Sequence, residues 1–382
     1  MADSIQTSHH IIFGDAGSMA DIEDQSIDLV VTSPPYPMIR MWDDQFSLAD
    51  PEIATALSEN DGMGAFERMH RQLDAAWEES LRVLKTGGIT CINIGDATRT
   101  LNGHFQLFPN HARIITKFLE LGFSQLPTIL WRKPTNAPNK FMGSGMLPPC
   151  AYVTLEHEYI LTFRKGPKRT FSEDQKSLRR QSAYFWEERN AWFSDVWFDL
   201  RGTSQKLNGR DREKRSGAFP LELPFRLINM YSIQGDTILD PFLGSGTTMI
   251  AAMCAARNSV GYEIGADLQS AILEKVALVP DMSNQIVQAR FEAHRTFVDH
   301  RMKTKGDLKH MNRPYGFAVM TRQEEDLRLH PVSHIQYQSN HKFLLKYGDF
   351  VPGTTAGEGI ADEMVSSRQF ARPSKGRQLK IF

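Results

Sequence analysis

The sequence predicts an α/β fold with a wound, mostly parallel sheet. Short apolar runs typical of strands alternate with helical segments along most of the 382 residues. Two of these runs lead directly into polar motifs, Thr32-Ser33-Pro34-Pro35-Tyr36 and Asp240-Pro241-Phe242-Leu243-Gly244-Ser245-Gly246-Thr247-Thr248. The second motif separates a predicted strand from a predicted helix, and a further strand follows. This is the β-loop-α-β order of an open wound sheet.

In the first half of the chain, predicted strands and helices follow one another with glycine or proline stops. Apolar runs at residues 11–13 and 27–31 predict two buried strands. Apolar residues at helical spacing predict a helix over 65–84, which Gly87-Gly88 ends. The remaining predicted elements are a strand at 89–94, a helix at 112–121, and strands at 128–132 and 158–163.

A charged, aromatic-rich stretch at residues 165–217 interrupts the alternation, and periodicity predicts no fold for it. The elements predicted after it are a helix at 221–231, strands at 237–239 and 259–262, and helices at 247–256 and 266–278. Residues 281–382 show weak periodicity. We therefore divide the chain into two halves of one wound domain, 10–164 and 218–280, an insertion at 165–217 and a C-terminal extension at 281–382 of unknown role.

Composition and charge indicate a cytoplasmic protein with two basic segments. Three cysteines, far apart in the sequence, fit a reducing compartment and provide neither a disulfide framework nor a clustered metal site. No apolar run approaches the roughly 18 residues of a membrane span, so we expect neither membrane insertion nor export. The net charge is −1, but residues 164–216 hold 14 Lys or Arg against 8 Asp or Glu, and residues 280–382 hold 16 against 11. Such segments suit contact with an anionic partner.

The glycine motif has the features of a loop that binds a nucleoside cofactor. Asp240 ends the predicted strand, and Gly244 and Gly246 would let the backbone approach a ligand at the sheet edge. Thr247 opens the next helix. Glu263 ends the following strand, 23 residues after Asp240, and a carboxylate there can accept hydrogen bonds from two ribose hydroxyls.

Three other kinds of glycine loop are alternatives to a nucleoside-binding loop, and the sequence disfavours two of them. A phosphate-binding P-loop requires a lysine after the last glycine, where this chain has Thr247. A dinucleotide loop requires a third glycine, which is missing. A strand-to-helix turn that uses glycine for steric reasons alone stays open for the loop taken by itself.

The Ser33-Pro34-Pro35-Tyr36 motif offers hydrogen-bond acceptors and an aromatic face to a planar ring that carries an amino group. The Ser33 hydroxyl and the Pro34 carbonyl can each accept one amino hydrogen, while Tyr36 stacks on the ring. Pro34 and Pro35 hold the backbone extended and remove amide donors. Acceptors on both hydrogens favour a tetrahedral nitrogen, which is the form that attacks an electrophilic methyl group.

The two motifs, in this order, resemble the β-group DNA amino-methyltransferases, in which a catalytic tetrapeptide precedes the cofactor loop in a circularly permuted motif order. The resemblance covers roughly residues 10–280. It implies a Rossmann-like methyltransferase fold, S-adenosyl-L-methionine as cofactor, and a target-recognition region at 165–217. The family motif implies cofactor contacts at Asp240, Pro241, Phe242, Gly244, Ser245, Gly246, Thr247 and Glu263. By the same resemblance, Pro220 belongs to a segment that covers the methionine end and Asp15 to a turn that contacts adenine.

Ser33 at the head of the tetrapeptide is what cytosine-N4 enzymes of this family usually show, whereas an aspartate there usually marks adenine-N6 enzymes. The resemblance therefore implies methyl transfer to N4 of a cytosine flipped out of duplex DNA, with adenine N6 as the alternative. Methylation of RNA or of protein amides, and DNA binding without catalysis, are the weaker interpretations. A companion restriction endonuclease and a monomeric or homodimeric state complete these expectations.

Six positive side chains between the two halves are the candidates for contact with DNA phosphates. They are Arg201, Lys206, Arg210, Arg212, Lys214 and Arg215. The aromatic residues of 184–198 either stack on bases or form core, and we expect core. The segment Trp131-Arg132-Lys133 resembles one that lies near the flipped base in the family, or it is an ordinary solvated strand end.

Cysteine and histidine residues are not expected to take part in the chemistry. Cys150 follows two prolines, as a nucleophile for cytosine carbon 5 would, but it has no second supporting motif, and we expect a small buried side chain. Six histidines lack metal-ligand spacing, so we expect them at the surface and expect no metal site. They are His294, His300, His310, His330, His334 and His341.

Overall fold

Within the described part of the chain, an 11-stranded sheet forms the centre and three two-stranded sheets lie outside it. The structure is a computed structural model that describes residues 5–133, 142–200, 219–339 and 341–352. The strands are, in chain order, β1 (Gln6–Phe13), β2 (Ile27–Thr32), β3 (Leu84–Ile94), β4 (Ala97–Leu101), β5 (His104–Phe108), β6 (Phe123–Gln125), β7 (Ile129–Arg132), β8 (Met142–Gly143), β9 (Ala151–Tyr152), β10 (His157–Lys165), β11 (Val196–Trp197), β12 (Thr237–Asp240), β13 (Asn258–Glu263), β14 (His310–Met311), β15 (Ala318–Val319), β16 (Val332–Gln338) and β17 (Lys342–Tyr347).

Helices cover both faces of the sheet. They are α1 (Asp43–Ala49), α2 (Glu52–Ser58), α3 (Gly62–Val83), α4 (Asn110–Glu120), α5 (Glu173–Gln181), α6 (Trp186–Trp192), α7 (Glu222–Tyr231), α8 (Thr247–Cys254), α9 (Gln269–Ala277) and α10 (Val279–Lys305). Local chemistry sets where they begin. The Asp61 carboxylate accepts a hydrogen bond from the Gly64 amide at 2.8 Å and so caps α3, while Gly246 in the left-handed region, at φ 82°, leads into α8.

The order of the main sheet brings the two sequence motifs together. The strands run β11-β7-β10-β3-β2-β12-β13-β1-β17-β16, with β6 beside β10. The five strands from β3 to β1 in this order are mutually parallel. Antiparallel pairs extend this core on both sides. The carboxyl ends of the parallel strands therefore lie at one edge, and the predicted wound, mostly parallel α/β fold is confirmed.

Strand β2 shows why a mainly apolar run forms the centre of such a sheet. All six of its residues are buried. Val30 packs in the apolar layer that contains α3, whereas Leu29 and Val31 pack in the layer that contains α7 and α8. A strand covered on both faces is mainly apolar, because each buried polar side chain needs a partner, as Asp28 has in Lys85.

The helices and strands predicted from periodicity all have counterparts, with ends that differ by several residues. The predicted strand at 11–13 is the last part of β1, and the predicted helix at 266–278 is α9 preceded by a 3₁₀ turn at Ala266–Leu268. Periodicity missed the 27-residue helix α10 and the hairpin of β16 and β17. Helix α10 runs through the predicted boundary at 280/281, and β17 lies in the main sheet between β1 and the edge strand β16. The predicted division into domains stays a prediction. Among the described helices, none combines the length and apolar character that a membrane crossing needs.

Candidate active site

The two polar motifs meet at the carboxyl ends of β2 and β12, which are adjacent and parallel. The Thr32 hydroxyl donates a 2.6 Å hydrogen bond to Asp240 Oδ1 across 208 residues of sequence. The backbone amide of Phe242 donates to the same oxygen at 3.1 Å. The Asp240 carboxylate therefore connects the residue before the tetrapeptide with the beginning of the glycine loop.

Burial of Asp240 changes its protonation. Its side chain is 3% exposed, and desolvation raises the pKa of the carboxyl from 3.8 to about 6. Hydrogen bonds from Thr248 and Thr32 oppose this rise because they favour the ionised form. The prediction that Asp240 contacts the cofactor stays a prediction.

Hydrogen bonds with residues far away in sequence hold the tetrapeptide in place. Pro34 and Pro35 are buried, whereas Ser33 and Tyr36 are partly exposed. The Ser33 hydroxyl donates to Tyr36 Oη at 3.1 Å, and Tyr36 Oη donates to Glu158 Oε2 at 3.0 Å. Burial, and then the negative charge of Glu158, raise the pKa of Tyr36 well above its usual value of 10. Tyr36 is thus a neutral hydrogen-bonding group with a fixed ring position.

Three residues of this network were not among the predicted site residues, although one of them, Lys133, belongs to the segment that resembles one near the flipped base. Asn93, near the end of β3, donates through Nδ2 to Tyr36 Oη at 2.8 Å and to Glu158 Oε2 at 2.7 Å. Lys133 Nζ forms an ion pair with Glu158 Oε1. The sequence carried one further signal, because Asn93 is a polar side chain between two isoleucines of a buried strand. Glu158 lies near the start of β10, which runs antiparallel to β3 and so brings this end to the same edge.

The two glycines of the loop have different surroundings. Gly244 has φ 54°, and a Cβ placed on it would meet nothing nearer than the Phe242 carbonyl oxygen at 3.9 Å. A Cβ on Gly246 would lie 3.1 Å from Cγ2 of Ile272 in α9. Gly246 therefore permits close packing of the loop on α9, whereas Gly244 borders open space that a ligand can enter.

Glu263 holds the glycine loop through its carboxylate. Oε2 accepts a hydrogen bond from the Gly244 amide at 2.7 Å, and Oε1 accepts one from the Gly265 amide at 2.7 Å. The Glu263 carbonyl accepts from the Gly14 amide at 3.0 Å, so the predicted turn at Asp15 lies next to this strand end. The Asp15 carboxylate is exposed and accepts from the Gly17 amide at 2.8 Å.

The other predicted cofactor residues surround the same edge. Pro220 is buried ahead of α7, and Pro241 is buried at the start of the loop. The Phe242 ring packs edge to face on Trp77, with ring centroids 5.5 Å apart. Ser245 accepts a 2.8 Å hydrogen bond from Lys275 Nζ, a loop contact that sequence reasoning missed. Open space at Gly244 beside the Glu263 carboxylate fits a nucleoside, whose ribose supplies hydroxyl donors.

The predicted DNA-contact residues lie outside the described residues, from Arg201 to Arg215. The aromatic residues before them are divided between core and surface. Phe185, Trp192 and Trp197 are buried, as predicted, but Trp186, Phe193 and Phe198 are exposed, and the prediction of core was wrong for these three. Helix α6 lies at the surface, so one of its faces, with Trp192, is buried and the other, with Trp186, reaches solvent.

Two further expectations were wrong. Cys150 is exposed, because it lies in the surface turn between β8 and β9 and not in a buried element. His294 is buried on the inner side of α10, with Nδ1 2.8 Å from Glu187 Oε1 and Nε2 3.0 Å from the Ala318 carbonyl oxygen. Glu324 completes a buried group of metal-ligating residue types. Hydrogen bonds within the protein account for both ring nitrogens of His294.

Comparison with known proteins shows the family. The sequence model of the DNA methylase family, N6_N4_Mtase, matches residues 27–274. The chain is 50% identical over 350 residues to the Type II methyltransferase M.MthZI of Methanothermobacter thermautotrophicus, an alignment that covers 91% of this chain and 97% of the relative. It is 52% identical over 289 residues to the Type II methyltransferase M.MjaI of Methanocaldococcus jannaschii, with 73% of this chain and 94% of the relative covered.

A solved structure supports the same assignment. TTHA0409 from Thermus thermophilus, determined in complex with S-adenosyl-L-methionine, superposes with a TM-score of 0.56 at 30% sequence identity. The superposition covers 71% of this chain and 94% of that protein. The chain therefore belongs to the DNA methylase family, and its sheet has the Rossmann-like methyltransferase fold.

Proposed function

We propose that this protein transfers a methyl group from S-adenosyl-L-methionine to N4 of a cytosine in duplex DNA, by direct transfer to a flipped-out base. Family membership supports DNA as the substrate and S-adenosyl-L-methionine as the cofactor. The observation that carries the proposal is the 2.6 Å contact of Thr32 with Asp240, since it joins the acceptor-rich tetrapeptide to the cofactor loop. The Type II methyltransferase names of the relatives agree with a sequence-specific DNA enzyme.

The cofactor would be held by the glycine loop and the neighbouring strand end. The open space beside Gly244 would take the nucleoside, and Glu263 would accept hydrogen bonds from its ribose hydroxyls. To do so, the Glu263 oxygens, which accept from the Gly244 and Gly265 amides, would accept from the ribose hydroxyls as well. When bound, S-adenosyl-L-methionine supplies an electrophilic methyl group on a positively charged sulfur.

The tetrapeptide would prepare the amino group to receive that methyl group. A ring amino nitrogen is a poor nucleophile because its lone pair is delocalised into the ring. Ser33 Oγ and the Pro34 carbonyl oxygen would accept its two hydrogens and so favour a tetrahedral nitrogen. Tyr36 would stack on the base, which repays part of the free energy needed to flip it out of the duplex. No covalent intermediate with the protein is required.

The choice of cytosine over adenine rests on Ser33, the residue type usual in the cytosine-N4 enzymes that the sequence resembles. Adenine N6 is the second candidate, because both bases present an amino group next to a ring nitrogen acceptor. We also propose that the basic residues between Arg201 and Arg215 contact DNA phosphates. A companion restriction endonuclease is a further proposal, which the Type II names of the relatives support.

One labelling experiment separates these possibilities. The full chain is incubated with methyl-labelled S-adenosyl-L-methionine and mixed-sequence duplex DNA, and the DNA is then digested to nucleosides. We expect the label in N4-methylcytosine. Label in N6-methyladenine would move the assignment to adenine, and absence of label from DNA, with label in RNA or protein substrates tested in parallel, would refute the proposal.

Two variants assign the roles of the tetrapeptide and of the cofactor carboxylate. Ser33→Ala removes one acceptor from the amino group and should lower kcat by on the order of 100-fold, with the cofactor Kd changed less than about twofold. Glu263→Gln should instead weaken cofactor binding by about tenfold or more, because an amide has only one accepting oxygen. Isothermal titration and single-turnover kinetics measure both. Full activity in Ser33→Ala would contradict the assignment of the tetrapeptide.

A further inference from the structure

One hydrogen-bond chain links Ser33, through Tyr36, to the carboxylate of Glu158. The Ser33 hydroxyl donates to Tyr36 Oη at 3.1 Å, and Tyr36 donates to Glu158 Oε2 at 3.0 Å. We propose that Glu158 is a positioning residue that, as the terminal acceptor of this chain, turns the hydroxyl hydrogens away from the substrate and leaves Ser33 Oγ as a pure acceptor. This inference rests on the proposed methylation of an amino group.

The direction of the chain follows from what each group can donate. A carboxylate can only accept, so the single hydroxyl hydrogen of Tyr36 is directed to Glu158. The Tyr36 oxygen must then accept from its other neighbours, which are Ser33 Oγ and Asn93 Nδ2. The hydrogen of Ser33 is therefore engaged by Tyr36. Without this arrangement, a serine hydroxyl could equally point its hydrogen at the substrate and repel the amino group.

Asn93 extends the same pattern. Its Nδ2 donates to Glu158 Oε2 at 2.7 Å as well as to Tyr36, which fixes the orientation of the amide because a carboxylate cannot donate. The Asn93 side chain is 2% exposed, and within the described ranges its Oδ1 has no hydrogen-bond partner. The hydroxyl hydrogens of Ser33 and Tyr36 and both hydrogens of the Asn93 amide are thus engaged, while Oγ of the partly exposed Ser33 keeps accepting capacity toward a substrate. Such a network is complementary to an amino group, which carries only donors on its nitrogen.

Lys133 is the positively charged partner of the Glu158 carboxylate. Its Nζ pairs with Glu158 Oε1, the oxygen that Tyr36 and Asn93 do not use, and it also lies 4.5 Å from the centroid of the Trp131 ring. The Glu158 side chain is only 14% exposed, so its charge needs this partner. A purely structural role for Glu158 would consist of this ion pair alone and would not depend on the direction of the chain.

The first test is Glu158→Gln, which preserves the shape but places an amide where three donors converge. Its NH₂ group must face a neighbour, and the chain can then reverse, with Tyr36 donating to Ser33 and the Ser33 hydrogen directed at the substrate. We expect kcat for methyl transfer to fall by on the order of 10- to 100-fold, with the cofactor Kd within about twofold of the wild type. An unchanged kcat would overturn the inference.

The matched rescue is Glu158→Gln combined with Asn93→Asp, which exchanges the amide and the carboxylate. The new carboxylate at position 93 would accept from Tyr36 and from the new amide at position 158. The oxygen of that amide would accept from Lys133, so the original direction of the chain returns. We expect kcat of the double variant to be at least about tenfold higher than kcat of Glu158→Gln alone. If it is no better than Glu158→Gln alone, although both variants bind cofactor and unfold at similar temperatures, direction is not the cause.

A double-mutant cycle identifies Ser33 as the group through which Glu158 acts. In a Ser33→Ala background no hydroxyl remains to be oriented, so Glu158→Gln should cost less than about threefold further in kcat. A full additive loss would show that Glu158 acts independently of Ser33 and would overturn the inference.

A substrate-free measurement keeps this test separate from the proposed function. The ¹³Cζ resonance of Tyr36, assigned by comparison with Tyr36→Phe, reports the hydrogen bond that its hydroxyl donates. We expect Glu158→Gln to shift this resonance and the double variant with Asn93→Asp to return it toward the wild-type position. If the resonance shifts as expected but the wild type does not transfer methyl groups to DNA, the proposed function is refuted and the hydrogen-bond chain is not. Absence of the shift would refute the proposed chain of hydrogen bonds from Ser33 through Tyr36 to Glu158.

Discussion

Asp240 is the single residue that couples the two motifs, and its carboxyl titrates within an accessible pH range. Its side chain accepts from Thr32 at the end of β2 and from the Phe242 amide at the start of the loop. Burial raises its pKa to about 6. Between about pH 4 and pH 6 the folded chain therefore holds a proton that the unfolded chain has released, so this group makes the free energy of unfolding fall as the pH rises through that range.

Asp240→Asn tests this at the residue scale. The amide oxygen can still accept from Thr32 and Phe242, but the group no longer titrates. We expect the variant to gain stability over the wild type at pH 8, by up to about 3 kcal/mol, and this difference to shrink toward zero near pH 4. Urea unfolding without cofactor at several pH values measures it. A variant that loses stability at pH 8 would show that the ionised carboxylate is required for the fold.

The glycine loop is the element in which two similar residues have different tasks. Gly244 and Gly246 both have positive φ, so alanine is strained at either position. Only at Gly246 would the added Cβ also approach Ile272, at 3.1 Å, whereas at Gly244 it would enter open space. The loop therefore presents one glycine to helix α9 and one to the proposed cofactor.

The two alanine variants are matched controls for each other. Gly246→Ala should lower the free energy of unfolding by about 1–3 kcal/mol, because strain and crowding add. Gly244→Ala should lower it by about 1–2 kcal/mol, from strain alone, but weaken S-adenosyl-L-methionine binding more than Gly246→Ala does. Thermal unfolding and cofactor titration give both quantities. If Gly246→Ala is the weaker binder, the assignment of Gly244 to the cofactor face is wrong.

For the whole molecule, buried neutral histidines determine much of the response to acid. Desolvation lowers the pKa of His9 to about 3, and burial does the same for His70. Each histidine is neutral in the folded chain, while an unfolded histidine binds a proton near pH 6.5. Their contribution to the free energy of unfolding is therefore complete above pH 6.5 and is lost as the pH falls toward 3. Each histidine should lower the free energy of unfolding by about 2 kcal/mol at pH 5 relative to pH 7.5.

His9→Gln isolates one of these contributions. Glutamine can hydrogen-bond with Thr7 and Ser259, the present partners of His9, but does not titrate. When the pH is lowered from 7.5 to 5, we expect the free energy of unfolding of the variant to rise by about 2 kcal/mol relative to that of the wild type. Other groups of opposite slope, such as Asp240, cancel in this difference. A difference independent of pH would show that His9 titrates alike in both states.

The elements that periodicity predicted correctly are those whose pattern arises from burial by the sheet. The apolar run that ends at Thr32 and the helical spacing around Trp77 both reflect contact with the central layer. Strand β16 was missed because only its first residue, Val332, is buried, whereas β17 was missed although its buried residues alternate regularly. Cys150 and His294 were misplaced for a related reason, since exposure of a single side chain depends on elements far away in sequence.

Local sequence was sufficient for the fold class and for the two motifs, because strands buried on both faces and a glycine turn have recognisable composition at short range. It was insufficient for the surroundings of Ser33. Glu158 lies 122 residues from Tyr36, and Asn93 lies 57 residues from it. Their contact exists only because β10 runs antiparallel beside β3 and brings opposite chain ends to one edge. Whether the serine hydroxyl donates or accepts is therefore determined by the packing of distant strands.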